Sequence, residues 1–573
     1  MGAGPPLTDL LYRHLEETPQ SPQFENLRRK VTALTDRYQF FHWHVAFLDV
    51  FQVPEELSSA DPRVDTGVYN EGAGWNGGFD VVLGNPPWER IKIQEKEWFA
   101  QRNPEIAAAR NAAARREMIA ALQSNDPALF AAFTADKRKV EGESHFIRVS
   151  QRYPLCGRGD INTYTVFAEL DRFLLSGRGR VGMVCPSGIA TDDTTKFFFQ
   201  DLMQSQSLAS MYDFENRQGL FVAVHRSYKF CLLTMTGADI RTRETEFVFL
   251  AWNIGDLDDK WRRSKLSAAD FAMLNSNTAT LATFRSRRDA DTTKQIYGRV
   301  PVLMKETPTE NRWGITFKQG LFNKTSDSDK FRARDDLEAR GFTLEGNHYV
   351  RGAERYLPLY EAKMFDTYNH RFAEVVLSAT ALVRQGQARQ FSGNELVDAD
   401  VLPQPRYWVA GHDVETRLDF WDHAGLIGFR DVTSSTNERT SLFSILPRVA
   451  VGHTAPLVFA KEDIRTCVSY LSHCSSFVFD DCTRQKFGGI HLTYSYLKQL
   501  PVIPPHTYAP DLLGFITPRV LELTYTVWVL QPFARDLGYD GDPFVWNEER
   551  RFIMRRQLDA LNFHLYGIER ADV

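Results

Sequence analysis

Phe79-Asp80-Val81-Val82-Leu83-Gly84-Asn85-Pro86-Pro87-Trp88 is the most telling stretch of this chain. An apolar run that stops at a polar side chain and two prolines places that side chain at the carboxyl edge of a sheet. In open α/β folds ligands bind outside that edge. Asn carries both an acceptor and a donor, so it meets an exocyclic amine together with the ring nitrogen beside it. The prolines fix the backbone and leave the Pro86 carbonyl open to a second hydrogen bond. Trp88 offers a flat face on which a purine stacks. Pro-Pro after a strand is also a common turn, so the rest of the chain must carry the reading.

Working outward, residues 1–30 read as a helical lead-in, and Phe40–Phe51 alternates in the manner of a strand or edge segment. A Gly/Asp/Asn-rich loop follows to about Gly78. Beyond Trp88, residues 89–150 are rich in Ala, Glu, Lys, Arg and Gln, which favours a helical insertion. That insertion is either a solvated face or a DNA-facing arm bearing Arg110, Arg115 and Arg116. A helix opens at Asp160–Tyr164, with Asp160 or Asn162 as its cap. Strands are expected at Arg180–Cys185, Leu208–Phe214 and Ser227–Thr234, with a helix over 192–207. Strands alternating with helices predict an α/β, mainly parallel, doubly wound sheet. From about residue 260 the texture turns aromatic-rich and turn-rich, which reads as an α+β domain, and the tail from 510 is helical.

The chain has 573 residues, enough for two or three domains. Its 43% hydrophobic and 25% charged content is ordinary for a soluble globular protein. No run approaches the roughly 20 apolar residues of a membrane helix, and the N-terminus lacks a signal-peptide pattern. The expectation is a cytoplasmic protein with no membrane partner. The cysteines (Cys156, Cys185, Cys231, Cys467, Cys474, Cys482) form no CxxC pair or zinc-type spacing, so they read as reduced packed thiols and no metal site is expected. A net charge of −5 leaves room for a local basic cleft and decides nothing about nucleic acid.

The chain resembles the large adenine-specific DNA methylases of fused restriction–modification enzymes and of the BREX and DISARM phage-defence systems. The matching pieces run in order along nearly the whole length. They include FHWHVAFLDVF, FDVVLGNPPWERIK, DINTYTVFAELDRFLL, GRVGMVCPSGIATDD and MYDFENRQGLFVAVHRSYKFCLLT. Further on come LPLYEAKMFDTYNHRFA, LIGFRDVTSSTNERTSLFSILPR, TRQKFGGIHLTYSYLKQLPVIPP and LDALNFHLYGI. The resemblance implies an incomplete doubly wound, Rossmann-like methyltransferase sheet in residues 1–260. It implies a target-recognition domain in 261–509 and a helical region in 510–573.

The resemblance also implies roles. The target adenine is flipped out of the duplex. Asn85 and the Pro86 carbonyl accept hydrogen bonds from its amine, with Pro87 fixing the turn, Trp88 stacking on the base and Phe221 closing the other side. If the amine attacks the sulfonium methyl of S-adenosyl-L-methionine directly, no strong general base is needed, and catalysis is positioning plus polarisation. In the recognition domain, Lys363, His370, Arg371, Arg430, Arg439 and Lys486 are candidates for guanine edges or phosphates of double-stranded DNA, and Asn437 for adenine. The alternative for each is a surface charge or loop cap. Arg430/Asp431 and Glu438/Arg439 equally fit an internal salt-bridged loop.

One departure from the family pattern stands out. The family's cofactor half should show a strand, a Phe/Ala-x-Gly-x-Gly turn and an acidic residue ending the next strand, all ahead of the NPPW strand. Residues 1–84 contain no such unit, and Gly72-Ala73-Gly74-Trp75-Asn76-Gly77-Gly78 runs straight into that strand and reads as a loop. The expectation is therefore a C-terminal part or one subunit of a methylase. A second chain would then hold S-adenosylmethionine, with nuclease or defence-system subunits as further partners. The chain alone should expose a sheet edge and apolar surface. The competing readings are a DNA-recognition subunit without catalysis and a protein-glutamine methylase. The long region after residue 300 speaks against the latter.

Overall fold

Strand β3 (Phe79–Gly84) stops where Pro86 and Pro87 remove the N–H groups a ladder needs. It forms one edge of a six-stranded sheet. The other strands are β4 (Leu175–Pro186), β5 (Leu208–Glu215), β6 (Lys229–Thr236), β7 (Glu244–Ala251) and β8 (Ser264–Ser267), in the order β3-β4-β6-β5-β7-β8. This computed structural model describes residues 22–52, 76–109, 112–222, 224–277, 282–306, 308–324, 326–377, 386–435, 437–487 and 490–571. The lead-in before Pro22, the glycines Gly72 and Gly74, and Arg110 lie outside the described residues.

The expected strands form, but the sheet is mixed rather than mainly parallel. β3 with β4 and β5 with β7 are parallel, while β4–β6, β6–β5 and β7–β8 are antiparallel. The reason is the β5–β6 connection. Residues 216–228 return without a crossover helix, so β6 runs backwards and inserts between β4 and β5. The alternating apolar residues of β4 bury Val181, Met183 and Cys185 on one face. There they pack with helix α1 (Thr163–Phe173) and helix α2 (Lys196–Gln204), through Ala168, Phe198 and Leu202. The opposite face carries Phe214, Phe230 and Val248, with Val184 and Leu232 half-buried beside them.

The Phe40–Phe51 stretch is not a strand. His42–Phe47 makes a short helix (Trp43–Ala46), and Trp43, Phe47 and Phe51 all pack edge-on against Phe79. Two-residue strands β1 (Phe51–Gln52) and β2 (Asn76–Gly77) pair there. Aromatic spacing, not a sheet ladder, explains the pattern. The insertion is helical as expected, with its own small core of Phe99, Ile106 and Phe133. Arg115 is not part of a DNA-facing arm: it is buried and its Nε lies 3.0 Å from Glu95. Arg116 is exposed.

Among the described residues after 300 there are two larger sheets and two two-stranded pairs, Met304–Glu306 with Thr309–Asn311 and Ala373–Leu377 with Gly386–Gln390. One larger sheet is antiparallel, from Thr316–Lys318, Leu457–Phe459, Gly425–Phe429 and Phe443–Pro447. The other centres on Glu354–Tyr360, flanked by His348–Arg351 and Trp408–Ala410. Helices α3 (Ile464–Cys474), α4 (Phe477–Lys486), α5 (Pro510–Thr524) and α6 (Glu548–Tyr566) close the chain. Their apolar residues join the core of the β4 face, so one cluster runs from Cys156 to Ile568. The Tyr566 hydroxyl fastens α6 by donating to the Pro501 carbonyl at 2.8 Å. Among the described residues no helix is long and apolar enough to cross a membrane, and no cluster of side chains is set to hold a metal ion.

On β3, Val81 is 69% and Leu83 83% exposed. A parallel edge with bare aliphatic side chains is an invitation to pair or aggregate. Replacing both by Lys should leave the urea-unfolding free energy within about 0.5 kcal/mol of the parent. It should also reduce aggregation in light scattering. A loss of more than about 1 kcal/mol would show the edge to be packed.

Candidate active site

Since Pro86 and Pro87 cannot extend the β3–β4 ladder, the loop must be held from outside, and the start of α1 does this. The Thr163 hydroxyl donates to the Pro87 carbonyl and accepts from the Glu89 N–H at 3.1 Å. The Thr163 N–H donates to the Glu89 carbonyl at 2.9 Å, and the Ile91 N–H to the Ile161 carbonyl at 2.9 Å. The expected cap Asn162 does start α1, but its amide donates to the Asp160 carbonyl instead of capping the helix.

Within this loop Pro86 is buried, while Asn85 and Pro87 are exposed. Among the described residues neither the Asn85 side chain nor the Pro86 carbonyl makes a hydrogen bond. Trp88 is half-buried in an aromatic nest. It stacks on Tyr228 with ring centroids 5.8 Å apart and planes 9° apart, and Phe221 meets it edge-on at 5.4 Å. Its indole N–H is shielded from solvent and has no acceptor. Phe221 is set by Asn216, which is fully buried at the end of β5. The Asn216 amide donates to the Phe221 and Val224 carbonyls, both at 2.9 Å, and its oxygen accepts from the Phe221 N–H at 3.0 Å.

A cavity of about 690 Å³ adjoins Trp88, walled by Arg90, Tyr164, Asp213, Tyr228 and Lys486 among others; Asn85 lies outside its lining. Asp213 is buried and accepts from the Ser187 hydroxyl and from the Leu250 N–H at 3.2 Å. Burial pushes its carboxyl above the usual carboxylate range. Asn216, Tyr228 and Asp213 were missed from the sequence. Their signal was position alone: Asp213 lies near the end of β5, Asn216 follows it and Tyr228 precedes the antiparallel β6, so all three reach the edge that carries Asn85.

The expected DNA-contacting residues separate into three groups. Arg371 and His370 are enclosed and do not face DNA. The Arg371 guanidinium donates to the carbonyls of Asp398, Val401, Leu396 and Thr526. Burial lowers His370 to about 3, which keeps it neutral. Lys363 is tied to the Gly386 carbonyl at 2.8 Å and to Glu361 at 3.3 Å. Lys486 reaches the Trp88 cavity, but its ammonium donates to the Leu274 and Gln499 carbonyls. Arg430, Asn437 and Arg439 come together at a second cavity.

The cofactor cradle that the family pattern requires does not fit the described residues. Gly77 and Gly78 press on backbone: a Cβ at Gly77 would lie 2.1 Å from the Val50 carbonyl oxygen, and one at Gly78 2.4 Å from Leu175. They are packing glycines and cradle no ligand.

Residues 8–118, which contain Asn85–Trp88, match a family model described as Eco57I restriction-modification methylase. No curated protein matches the chain. Among solved structures, it is similar to the type IIG restriction endonuclease BpuSI, at 12% identity over 74% of this chain and 52% of that one, with a TM-score of 0.27. It is also similar to the type IIL restriction-modification enzyme MmeI in complex with DNA, at 8% identity over 85% and 54%, with a TM-score of 0.35. The chain thus spans about half the length of these two proteins. At these scores the likeness carries no argument about activity.

Two outcomes are expected. Asn216→Ala should lower stability by about 1–3 kcal/mol, since three hydrogen bonds go with it. Amide exchange should speed up at Phe221 and Val224 but not in β4. Lys486 is the second case, for burial pulls its ammonium down to about 7. The unfolded chain keeps that proton up to about pH 10, so stability from this group rises with pH between about 7 and 10. Compared with Lys486→Met, the parent should gain up to about 1.4 kcal/mol per pH unit across that window in urea titrations. Parallel curves would remove the buried charge from the account.

Proposed function

We propose that this chain is an S-adenosylmethionine-dependent adenine-N6 DNA methyltransferase, or a subunit of one, acting in a restriction–modification or phage-defence setting. The observation that supports it is the pair of acceptors without a hydrogen bond among the described residues, the Asn85 amide oxygen and the Pro86 carbonyl, at the carboxyl end of β3 beside Trp88. Two acceptors aimed at one amine hold it in place and draw its protons, raising electron density on the nitrogen. The Trp88 cavity takes the flipped base, with Phe221 packed edge-on against Trp88, and the indole N–H of Trp88 is a further donor without a partner among the described residues.

The methyl donor is held by another segment or chain that pairs with the open β3 edge. The bare side chains of Val81 and Leu83 support that reading. The match of residues 8–118 supports the methylase class. A DNA-recognition subunit without catalysis is the second reading, favoured by Gly77 and Gly78 packing against backbone.

The test is calorimetric titration of S-adenosylmethionine into the chain alone and mixed with the product of the adjacent upstream gene. Binding only in the mixture supports a shared site. Binding to the chain alone overturns the shared site, and silence in both leaves the recognition subunit. In tritiated-methyl transfer to duplex DNA by the active mixture, Asn85→Ala should lose about 10²-fold or more in rate. Its DNA affinity should stay at the parental value. Equal rates for mutant and parent would remove Asn85 from the chemistry.

A further inference from the structure

Three of the expected DNA contacts meet α6 at a cleft of about 420 Å³, and the helix brings Arg555 and Arg556 to it. Arg430, Arg439, Arg555 and Arg556 face the carboxylates of Asp366, Glu438 and Asp559, so the positive charge is in excess. The internal ion pairs are long. Arg430 stands 3.5 Å from Asp366, and Arg439 stands 3.9 Å from Asp559. Asp559 also accepts the Phe477 N–H at 2.9 Å, so its charge is shared.

Donors in this cleft lack acceptors. Arg430 Nε, Arg439 Nη1 and the Thr367 hydroxyl are shielded from solvent and have no hydrogen-bond partner among the described residues. Buried donors are ordinarily paired, so three at one cleft point to a missing acceptor. The guanidiniums are also held rather than loose. Arg439 lies 3.8 Å and Arg556 4.7 Å from the centre of the Phe477 ring. Tetrahedral oxyanions carry several acceptor oxygens and take Arg in paired hydrogen bonds, which suits donors arriving from different elements.

We propose that this cleft, formed by Arg430, Asn437–Arg439, Thr367 and α6, binds a backbone phosphate of DNA. The assignment to DNA rests on the reading under Proposed function; the oxyanion chemistry does not. Helix α4 begins at this cleft with Phe477 and ends at the Trp88 cavity with Lys486, and its ten residues span roughly 15 Å. At about 3.4 Å per nucleotide of one strand, the phosphate held lies about four nucleotides from the flipped base. The cleft therefore sets the register of the duplex and does not read bases.

Anisotropy titrations of the full chain with a fluorescein-labelled duplex, across a range of salt, test this. The double variant Arg555→Gln/Arg556→Gln should bind more weakly, with a salt slope less negative by about 1. Thr367→Val should weaken binding a few-fold and leave the slope alone. Arg312→Gln, at an exposed site, should match the parent, and thermal unfolding should show every variant folded. Unchanged slope and affinity in the double variant would overturn the proposal, as would an equal loss in Arg312→Gln. A parallel arm uses inorganic phosphate. If phosphate raises the melting temperature of the parent but not of the double variant, while their DNA slopes agree, the cleft takes free phosphate and the DNA assignment falls. A parent that binds no duplex at all sinks the DNA reading of the whole chain, and the phosphate arm still reports on the cleft.

Discussion

Pro86 and Pro87 have no N–H to give, and much of the architecture follows from that constraint. The β3–β4 ladder ends at Gly84, so the backbone beyond it leaves the sheet and its carbonyls become available. A loop without its own ladder must be fixed by neighbours, and Thr163 does so with one hydroxyl that both donates and accepts. Helix α1 is placed in turn by Ala168 and Tyr164 in the core over β4. The loop that offers open acceptors is thus locked to the centre of the sheet through one side chain and a short bridge at Arg90 and Asn162. A preorganised acceptor pair needs this kind of support, because misplacement by an ångström loses the orientation on which polarisation depends.

What the sequence disclosed is what periodicity and local chemistry encode. The strands β3, β4, β5 and β6 and helix α1 were legible because each has a clean apolar pattern with turn residues at its ends. The direction of β6 was not, since alternation reads the same either way along a strand. The resemblance set Phe221 across a flipped base from Trp88, whereas in the fold the two rings meet edge-on, and Asn216 gave no signal: an Asn after a strand looks like any turn residue until its two ends are seen to clamp one loop. Phe40–Phe51 misled because aromatic residues that pack on Phe79 mimic strand alternation.

Arginines show the same limit from the side of charge. In the sequence Arg371 and Arg439 are equivalent, each lying in a polar, aromatic-flanked stretch after residue 300. In the fold, Arg371 donates to four carbonyls and has become part of the core, where its charge is solvated by peptide dipoles. Arg551 is a similar case, donating to the Leu523 and Tyr368 carbonyls, with burial lowering it to about 9. Arg439 instead rests on a ring, and its ion pair to Asp559 is long at 3.9 Å. Only the count of acceptors around each guanidinium separates a structural arginine from one able to take a ligand, and that count is a property of three-dimensional contacts.

The edge at β3 poses the remaining physical question. Parallel strands are nearly always covered on both faces and flanked by neighbours, because their crossover connections bring helices with them. Among the described residues, β3 pairs only with β4, and Val81 and Leu83 project without cover. The opposite edge of the sheet ends differently, for β8 is antiparallel to β7 and leads straight into the helix Ala268–Leu274 that packs back on the core. The asymmetry puts uncovered apolar surface on the strand that delivers Asn85. A strand added there would extend the sheet and bring its own carboxyl end alongside Asn85 if it ran parallel. On the function proposed above, that is where the methyl donor would stand to reach an amine held by the Asn85 and Pro86 oxygens, and completing the sheet would then complete the site.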